Sequence, residues 1–431
     1  MGLGLLGRGL GDVKFLAECD ADLIVTDLKT PEQLESSLNE LKDFKNIKFT
    51  LGEHKLEDFR DRDFILKAAG VPLDSVYIIE ARKNNIPIEM SSSLFAKLVE
   101  GVKIVGITGT RGKSTVTHLI YEIIKNSGAK VYLGGNVKGV ATLPLIKEVV
   151  PGDIVVMELD SWQLQGFGEN KISSNVSVFT TFLPDHLNYY KGDIDKYLDD
   201  KANIFKYQKE DDFLVIGSQT LDNLEKYLKN VKSKIAIVDA KNLPEDWKIK
   251  IPGEHNRYNI SLAVEAVKAL EISGEVIKKT VEEFKGVPGR LELVKEYKGI
   301  EIYNDTTATT PDAVIVGLKA FGEGERKINL IMGGSDKGLD MSNLINTLPK
   351  YVKMIALLPG TGTEKIKEKI LEIKDVAIKE CANLDEAVQK SLENAQKEDI
   401  LLFSPGFASF GMFKNEFDRG DQFNEIIKNL K

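Results

Sequence analysis

Gly106-Ile-Thr-Gly-Thr-Arg-Gly-Lys-Ser-Thr115 joins the apolar run Val102–Ile107 to a stretch of helical period, Ser114–Asn126. A strand running through a glycine-rich turn into a helix places main-chain N–H groups and the positive end of the helix where an anion can sit. The glycines let the backbone come close to phosphate oxygens, Lys113 can neutralise the terminal phosphates, and the Ser114 hydroxyl can ligate magnesium. Gly109, Thr110, Arg111, Gly112, Lys113, Ser114 and Thr115 therefore form the candidate nucleotide-phosphate site. The spacing is G-x2-G-x2-G-K-S, because Ile107 stands where the commonest phosphate loop has its first glycine. A glycine-rich turn without a ligand has no use for a Lys-Ser pair at a helix start.

Outward from this loop, Asp153–Leu159 and Val176–Thr181 are near-continuous apolar runs, the pattern of parallel strands buried on both faces. Glu158 closes the first, at the sheet edge where α/β proteins hold ligands. Alone, such a residue is usually a solvated strand end; beside a phosphate loop it becomes a magnesium candidate together with Ser114. The second run leads into Leu183-Pro-Asp-His-Leu187, which puts His186 at the same edge if the two strands are neighbours. Lys201 reads as an exposed helical lysine.

Residues 1 to about 95 alternate short strands and helices, with Asp22–Asp27 a strand after the helix that carries Phe15 and Leu16. Gly2-x-Gly4-x-x-Gly7, with Asp27 about 20 residues on, resembles a dinucleotide fingerprint without the strand that should precede it. Either the start codon is misassigned or this domain lacks its first strand. A nicotinamide-dependent dehydrogenase built on this weak signal leaves Gly106–Thr115 unexplained. Beyond Gly289 the pattern resets into strands at Ile300–Tyr303, Ile328–Met332, Met354–Leu358 and Ile400–Phe403, separated by helices. The expected fold is α/β in three domains, at 1–95, 96–289 and 290–431.

Three domains suit 431 residues, since single cores stop growing at roughly 250–300. With 42% hydrophobic and 29% charged residues the chain has ordinary globular composition. A formal charge of -8 argues against nucleic-acid or membrane-surface binding. Cys19 and Cys381 are far apart and lack metal-ligand spacing, so neither a disulfide framework nor a zinc site is indicated and a reducing cytoplasm fits. No apolar stretch reaches about 18 residues and no secretion signal opens the chain.

Taken in order, GITGTRGKST, MELDSWQL (157–164), PDHLNYY (184–190), DKANIF (200–205), GEHNRYN (253–259), PGRLE (288–292), YNDTTATTPDA (303–313), GGSDKG (333–338) and SPGFASFGMFKN (404–415) resemble the Mur ligase family along essentially the whole chain. The resemblance implies an N-terminal Rossmann-like UDP-binding unit, a central parallel sheet of the P-loop ATPase type, and a C-terminal Rossmann-like domain that brings the amino acid. ELDSWQL and FASFGMFKN resemble the glutamate-adding branch. The implied reaction is ATP-dependent addition of D-glutamate to UDP-N-acetylmuramoyl-L-alanine through an acyl phosphate, a step of peptidoglycan precursor synthesis that serves cell-wall building and division. L-glutamate as the acceptor, a folylpolyglutamate synthase or cyanophycin-type ligase, and a non-catalytic nucleotide-binding regulator are the alternatives.

By the same resemblance Lys113, His186 and Lys201 are the catalytic residues. Ser114, Glu158, His186 and Lys201 hold two magnesium ions, with Lys201 carbamylated so that a repelling ammonium becomes an anionic oxygen donor. Gly4, Leu5, Leu6, Asp27 and Asn136 face the UDP substrate, and Asn256, Asn259, Arg290 and Asp305 contact ATP. Thr309, Lys337 and Ser409 grip the glutamate. The implied enzyme is a cytoplasmic monomer acting on small molecules. Two positions depart from the glutamate-adding pattern: Thr307 stands where a lysine is usual and Glu416 where a phenylalanine is. Losing a cation and gaining a carboxylate there should weaken a dicarboxylate ligand.

Overall fold

The computed structural model describes residues 1–430 except 6, 138 and 323–325. It divides into two compact units: residues 1–244 with 258–280, and residues 245–257 with 281–431. The stretches 1–95 and 96–244 thus share one unit, and the short segment 245–257 belongs with the C-terminal one.

In the first unit the chain begins with two small parallel sheets. Strand β1 (Leu23–Asp27) pairs with β2 (Ile47–Leu51), and β3 (Ile65–Leu66) pairs with β4 (Ile88–Glu89). Six further strands follow: β5 (Lys103–Thr108), β6 (Val131–Gly135), β7 (Ile154–Glu158), β8 (Val176–Phe179), β9 (Phe213–Gly217) and β10 (Lys234–Val238). All are parallel, in the order β10-β9-β8-β5-β7-β6. The chain leaves β5 toward β6 and β7 and then crosses to β8. The C-terminal end of β5 is therefore the switch point at which open parallel sheets bind ligands. Residues 104–108 of β5, 155–158 of β7 and all of β8 are buried, as their apolar runs require.

The helix Lys113–Asn126 carries Val116, Leu119, Ile120, Ile123 and Ile124 on one face, all fully buried. The helix Ser161–Asn170 starts at a capping box, Asp160 accepting from the Gln163 amide (2.8 Å) and Gln163 accepting from the Asp160 amide (3.1 Å). Strands β6, β9 and β10 were not expected. The glycines of β6 and the exposed lysine of β10 weaken the apolar-run signal, and the edge position of both leaves part of each strand uncovered; β9, in the sheet interior, is a short apolar run, Phe213–Ile216, ending in glycine.

The second unit holds β11 (Glu292–Tyr297), β12 (Ile300–Asn304), β13 (Ile328–Gly333), β14 (Val352–Leu358), β15 (Ala377–Glu380) and β16 (Ile400–Phe403), ordered β11-β12-β16-β13-β14-β15. Only the hairpin partner β11 runs antiparallel. Just past β12 and β16, Asp305 accepts from the Ser404 hydroxyl (2.8 Å) and the Leu291 amide (3.2 Å), tying the strand ends together in the interior. Burial pushes the Asp305 carboxyl up to about 7.

This packing makes two predictions. A methyl group on Gly106 would meet Ser174 Oγ at 2.0 Å and Ser174 Cβ at 2.9 Å. Gly106→Ala should therefore cost about 1–3 kcal/mol in urea unfolding, and Ser174→Gly should recover much of it. Asp305 has a folded pKa above its unfolded value near 4, so its contribution is fully present below about pH 4 and is lost as the pH rises through 7. Asp305→Asn should accordingly gain stability relative to the parent between pH 5 and pH 8, read as a shift in the difference of their urea midpoints.

Candidate functional site

The Gly106–Thr115 turn, the candidate phosphate site, lies at the switch point, and its conformation explains its glycines. Gly109 (φ 141°) and Gly112 (φ 86°) adopt backbone angles that side chains rarely take, and an added Cβ would strike Thr180 Oγ1 at 2.0 Å and Asn259 Oδ1 at 2.3 Å. The turn is pinned to the segment after β8. The Thr110 amide donates to Thr181 O (2.8 Å), the Arg111 amide to Thr181 Oγ1 (2.8 Å), and the Thr180 hydroxyl to Arg111 O (2.6 Å). Thr110 is buried, its hydroxyl bound to Leu183 O (3.1 Å). Arg111 is exposed and pairs with Asp185 (3.2 Å). Ser114 and Thr115, partly buried, open the helix behind the loop.

Lys201 is not the surface residue its local sequence suggests. It is 2% exposed, and its Nζ donates to Gly109 O at 2.8 Å. Lys113 Nζ donates to the same carbonyl at 3.0 Å and to Thr110 O at 3.2 Å. Burial, reinforced by the Lys113 ammonium, holds the Lys201 amine well below the ordinary lysine range. Among the described residues Lys201 forms no ion pair; the Tyr197 ring lies 4.8 Å from its Nζ.

His186 has φ 53°, an uncommon conformation for a non-glycine residue, and its ring packs on Trp162 with centroids 4.6 Å apart. Burial lowers its pKa despite Asp185, favouring the neutral imidazole that binds metals. Glu158 is buried at the end of β7, and its carbonyl accepts from the Asn136 amide (2.6 Å). The Asn136 side chain accepts from Arg8, a residue with no sequence signal of its own. Among the described residues no three His, Cys, Asp or Glu side chains converge as a metal cluster. A magnesium ion here would draw on Glu158, the Ser114 hydroxyl and phosphate oxygens, the sparse hard-oxygen set that this ion takes. The buried Thr108 Oγ1, one residue before Gly109, has no partner among the described residues and adds a further hard oxygen at that edge.

At the N-terminus the Gly4 amide donates to Asp27 Oδ2 and the Lys29 amide to Asp27 Oδ1, both at 2.9 Å. Burial raises the Asp27 carboxyl, but these amides and the Lys29 charge outweigh it and the net shift is downward. A carboxylate so engaged is poorly placed for the ribose contact of a dinucleotide. Leu5 is exposed, and Leu6 lies outside the described residues. A cavity of about 960 Å³ is lined by Gly4, Leu5, Arg8, Asn136, Asp160, Trp162 and other residues of this unit. Lys67 on its wall is 2% exposed, donates to Val71 O (2.9 Å) and Ala69 O (3.2 Å), and is lowered to about 8 by burial.

In the second unit Lys337 Nζ donates to the Thr309 hydroxyl at 2.8 Å, so these two expected residues do meet. Burial lowers the Lys337 amine; Glu416 acts against that shift and Arg419 with it, so both act on Lys337 electrostatically. Arg419, which carries no sequence signal, is 1% exposed and donates to Thr306 Oγ1 (3.0 Å), Thr306 O (2.8 Å) and Phe407 O (3.1 Å). The Thr307 hydroxyl is engaged by Gly289 O (2.9 Å) and Ser409 is buried. Asn256 is buried, its amide bound to Pro252 O (2.7 Å), and Arg290 is exposed.

Comparison with known proteins agrees with this architecture. Residues 107–243 match the Mur ligase middle domain and residues 289–407 the Mur ligase glutamate ligase domain. The chain is 33% identical to the UDP-N-acetylmuramoylalanine–D-glutamate ligase of Roseiflexus sp., covering 100% of this chain and 98% of that enzyme. It is 34% identical to the enzyme of the same name from Borreliella burgdorferi, covering 100% and 97%. Among solved structures, the UDP-N-acetylmuramate–alanine ligase of Thermotoga maritima shares the fold with a TM-score of 0.61 at 18% identity, covering 100% of this chain and 98% of that one. The folylpolyglutamate synthase of Mycobacterium tuberculosis does so at 0.56 and 14% identity, covering 78% and 94%. With full-length relatives at this level of identity and both domain models matched in order, the chain belongs to the Mur ligase family.

Proposed function

We propose that this enzyme joins D-glutamate to UDP-N-acetylmuramoyl-L-alanine in the cytoplasm, hydrolysing ATP to ADP and phosphate. The observation that carries the reading is the convergence of Lys113 and Lys201 on the Gly109 carbonyl, at 3.0 and 2.8 Å, on a loop built for phosphates. The names of the full-length relatives point to the same substrates. No helix among the described residues is long and apolar enough to cross a membrane.

In this reading residues 1–95 hold the UDP substrate, 96–289 the ATP, and 290–431 the amino acid. The alanyl carboxylate attacks the γ-phosphorus, the bond to ADP breaks, and an acyl phosphate forms. The glutamate amine then attacks the acyl carbon, phosphate leaves, and the amine proton passes to solvent. Phosphoryl transfer needs positioning and charge neutralisation more than a protein nucleophile, and the loop amides with Lys113 supply both. Magnesium, when bound, would offset charge on the phosphate oxygens. Glu158 and Ser114 would hold one ion and His186 with Lys201 a second. Lys201 suits carbamylation because it is enclosed and without an ion-pair partner among the described residues.

In the second unit, Lys337 and Thr309 would receive the side-chain carboxylate of glutamate by charge and hydrogen bond. Glu416 is the one feature that favours a second reading, an acceptor other than D-glutamate, because its charge competes for Lys337.

Phosphate release with UDP-N-acetylmuramoyl-L-alanine and D-glutamate or L-glutamate in parallel tests the proposal; release that requires D-glutamate is expected, and release with L-glutamate alone would replace it. Lys113→Ala should lower kcat by about a thousand-fold or more, from lost transition-state charge stabilisation. Carbon-13 bicarbonate should give a carbamate resonance in the parent that Lys201→Arg lacks, with turnover lost alongside it. Glu416→Gln should lower KM for D-glutamate several-fold with kcat little changed, since one like charge is removed from the acceptor pocket.

A further inference from the structure

Helix Arg8–Glu18 is seated against the segment that follows β6. Gly11 comes so close to Ala141 that an added Cβ would meet the Ala141 Cβ at 2.4 Å, and Asp12 Oδ1 accepts from the Ser91 hydroxyl at 2.9 Å. These contacts fix the rotation of the helix about its axis, and Arg8, one turn before Asp12, is thereby carried to Asn136. A guanidinium has donors only, so its bond to the Asn136 side chain can be made to the carbonyl oxygen Oδ1 and to no other atom.

The main chain of Asn136 is held independently. Gly135, at φ 76°, brings the turn so near β7 that a Cβ there would lie 2.1 Å from Glu158 O, and the Asn136 amide donates to that same oxygen at 2.6 Å. The Gly135 amide donates to Thr142 Oγ1 at 2.9 Å. With the backbone pinned and Oδ1 taken by Arg8, the orientation of the side-chain amide is settled, and Nδ2 turns its N–H donors away from the guanidinium. Nδ2 has no partner among the described residues, and Arg8, Asn136 and Asp160 line the same cavity. An asparagine without such a bond turns over easily, and in the turned state it would aim an oxygen lone pair where Nδ2 now faces. A site that receives an anion gains by forbidding that state in advance.

We propose that Arg8 is a positioning residue, which locks Asn136 as a hydrogen-bond donor toward an anionic oxygen of the substrate. The inference rests on the reading that this unit holds UDP-N-acetylmuramoyl-L-alanine, whose anionic oxygens are those of the diphosphate and of the alanyl carboxylate. The bond from the Asn136 amide to Glu158 O puts the side chain at the edge where that reading places phosphoryl transfer, which favours the carboxylate. Arg8 serves in two ways. It excludes the turned amide, and its charge on Oδ1 polarises the group so that the Nδ2 protons bind an anion more strongly. Arg8 acts through Asn136 and touches no reacting atom.

The test measures binding by calorimetry for the parent, Arg8→Met, Arg8→Lys, Asn136→Ala and the Arg8→Met/Asn136→Ala double variant. The probes are UDP-N-acetylmuramoyl-L-alanine and UDP-N-acetylglucosamine, which carries the diphosphate but no carboxylate. Arg8→Met should raise Kd for the first probe about ten-fold, as expected for one lost hydrogen bond to a charged group, and Asn136→Ala should raise it at least as much. The double variant should bind no more weakly than Asn136→Ala alone, because Arg8 has no effect without its asparagine, and Arg8→Lys, which keeps a donor for Oδ1, should recover much of the affinity. An unchanged Kd for UDP-N-acetylglucosamine in Arg8→Met assigns the contact to the carboxylate, and an equal loss assigns it to the diphosphate; both support the proposal. Parental affinity in Arg8→Met, or losses that multiply in the double variant, would overturn it while leaving the substrate reading intact. A parent that binds neither probe would sink the substrate reading itself and this inference with it.

Discussion

Two lysine side chains donate to one main-chain carbonyl at an enclosed position, and the charge they can carry together is limited. Lys113 and Lys201 both donate to Gly109 O, at 3.0 and 2.8 Å, and Lys201 is almost wholly removed from water. Mutual repulsion and desolvation both disfavour two protonated lysines there. A nucleotide's polyphosphate, or conversion of one amine to an anionic carbamate, would relieve that repulsion. The sheet order supports the arrangement from below. Crossing from β7 to β8 around β5 opens the crevice at the point where the loop emerges.

The loop holds its shape because several polar groups share the work. Main-chain and hydroxyl bonds from Thr180 and Thr181 fix Thr110 and Arg111, and Asn259 closes against Gly112. The helix that carries Lys201 is anchored nearby by Asp200, which accepts from Gln165 (2.8 Å) and from Tyr190 (3.0 Å). Preorganisation of this kind is what phosphoryl transfer draws on. In the second unit Arg419 plays a comparable part for the Thr306–Thr309 loop. Its guanidinium is spent on neutral acceptors, leaving Lys337 as the cation that meets Thr309.

Much of this is legible in the order of the amino acids. The runs at Val102–Ile107, Asp153–Leu159, Val176–Thr181 and Ile400–Phe403 all form strands, because a strand buried on both faces has to be apolar throughout. The edge strands β6, β10, β11 and β15 give a weaker signal, since edge exposure or glycine breaks that pattern, whereas the interior strand β9 is an apolar run like the others. Gly106–Thr115 announces a phosphate loop because glycine freedom, a lysine and a hydroxyl at a helix start are local requirements.

What sequence alone determined, then, is whatever is written within one turn or one strand: the α/β class, the glycine-rich turn between strand and helix, and the family motifs in their order. Tertiary structure decided the rest. Only folding carries Lys201 from an ordinary-looking helix to a carbonyl 92 positions away and brings Arg8 to Asn136. Burial and distant pairing depend on how separate elements pack, and no local pattern of residues encodes that.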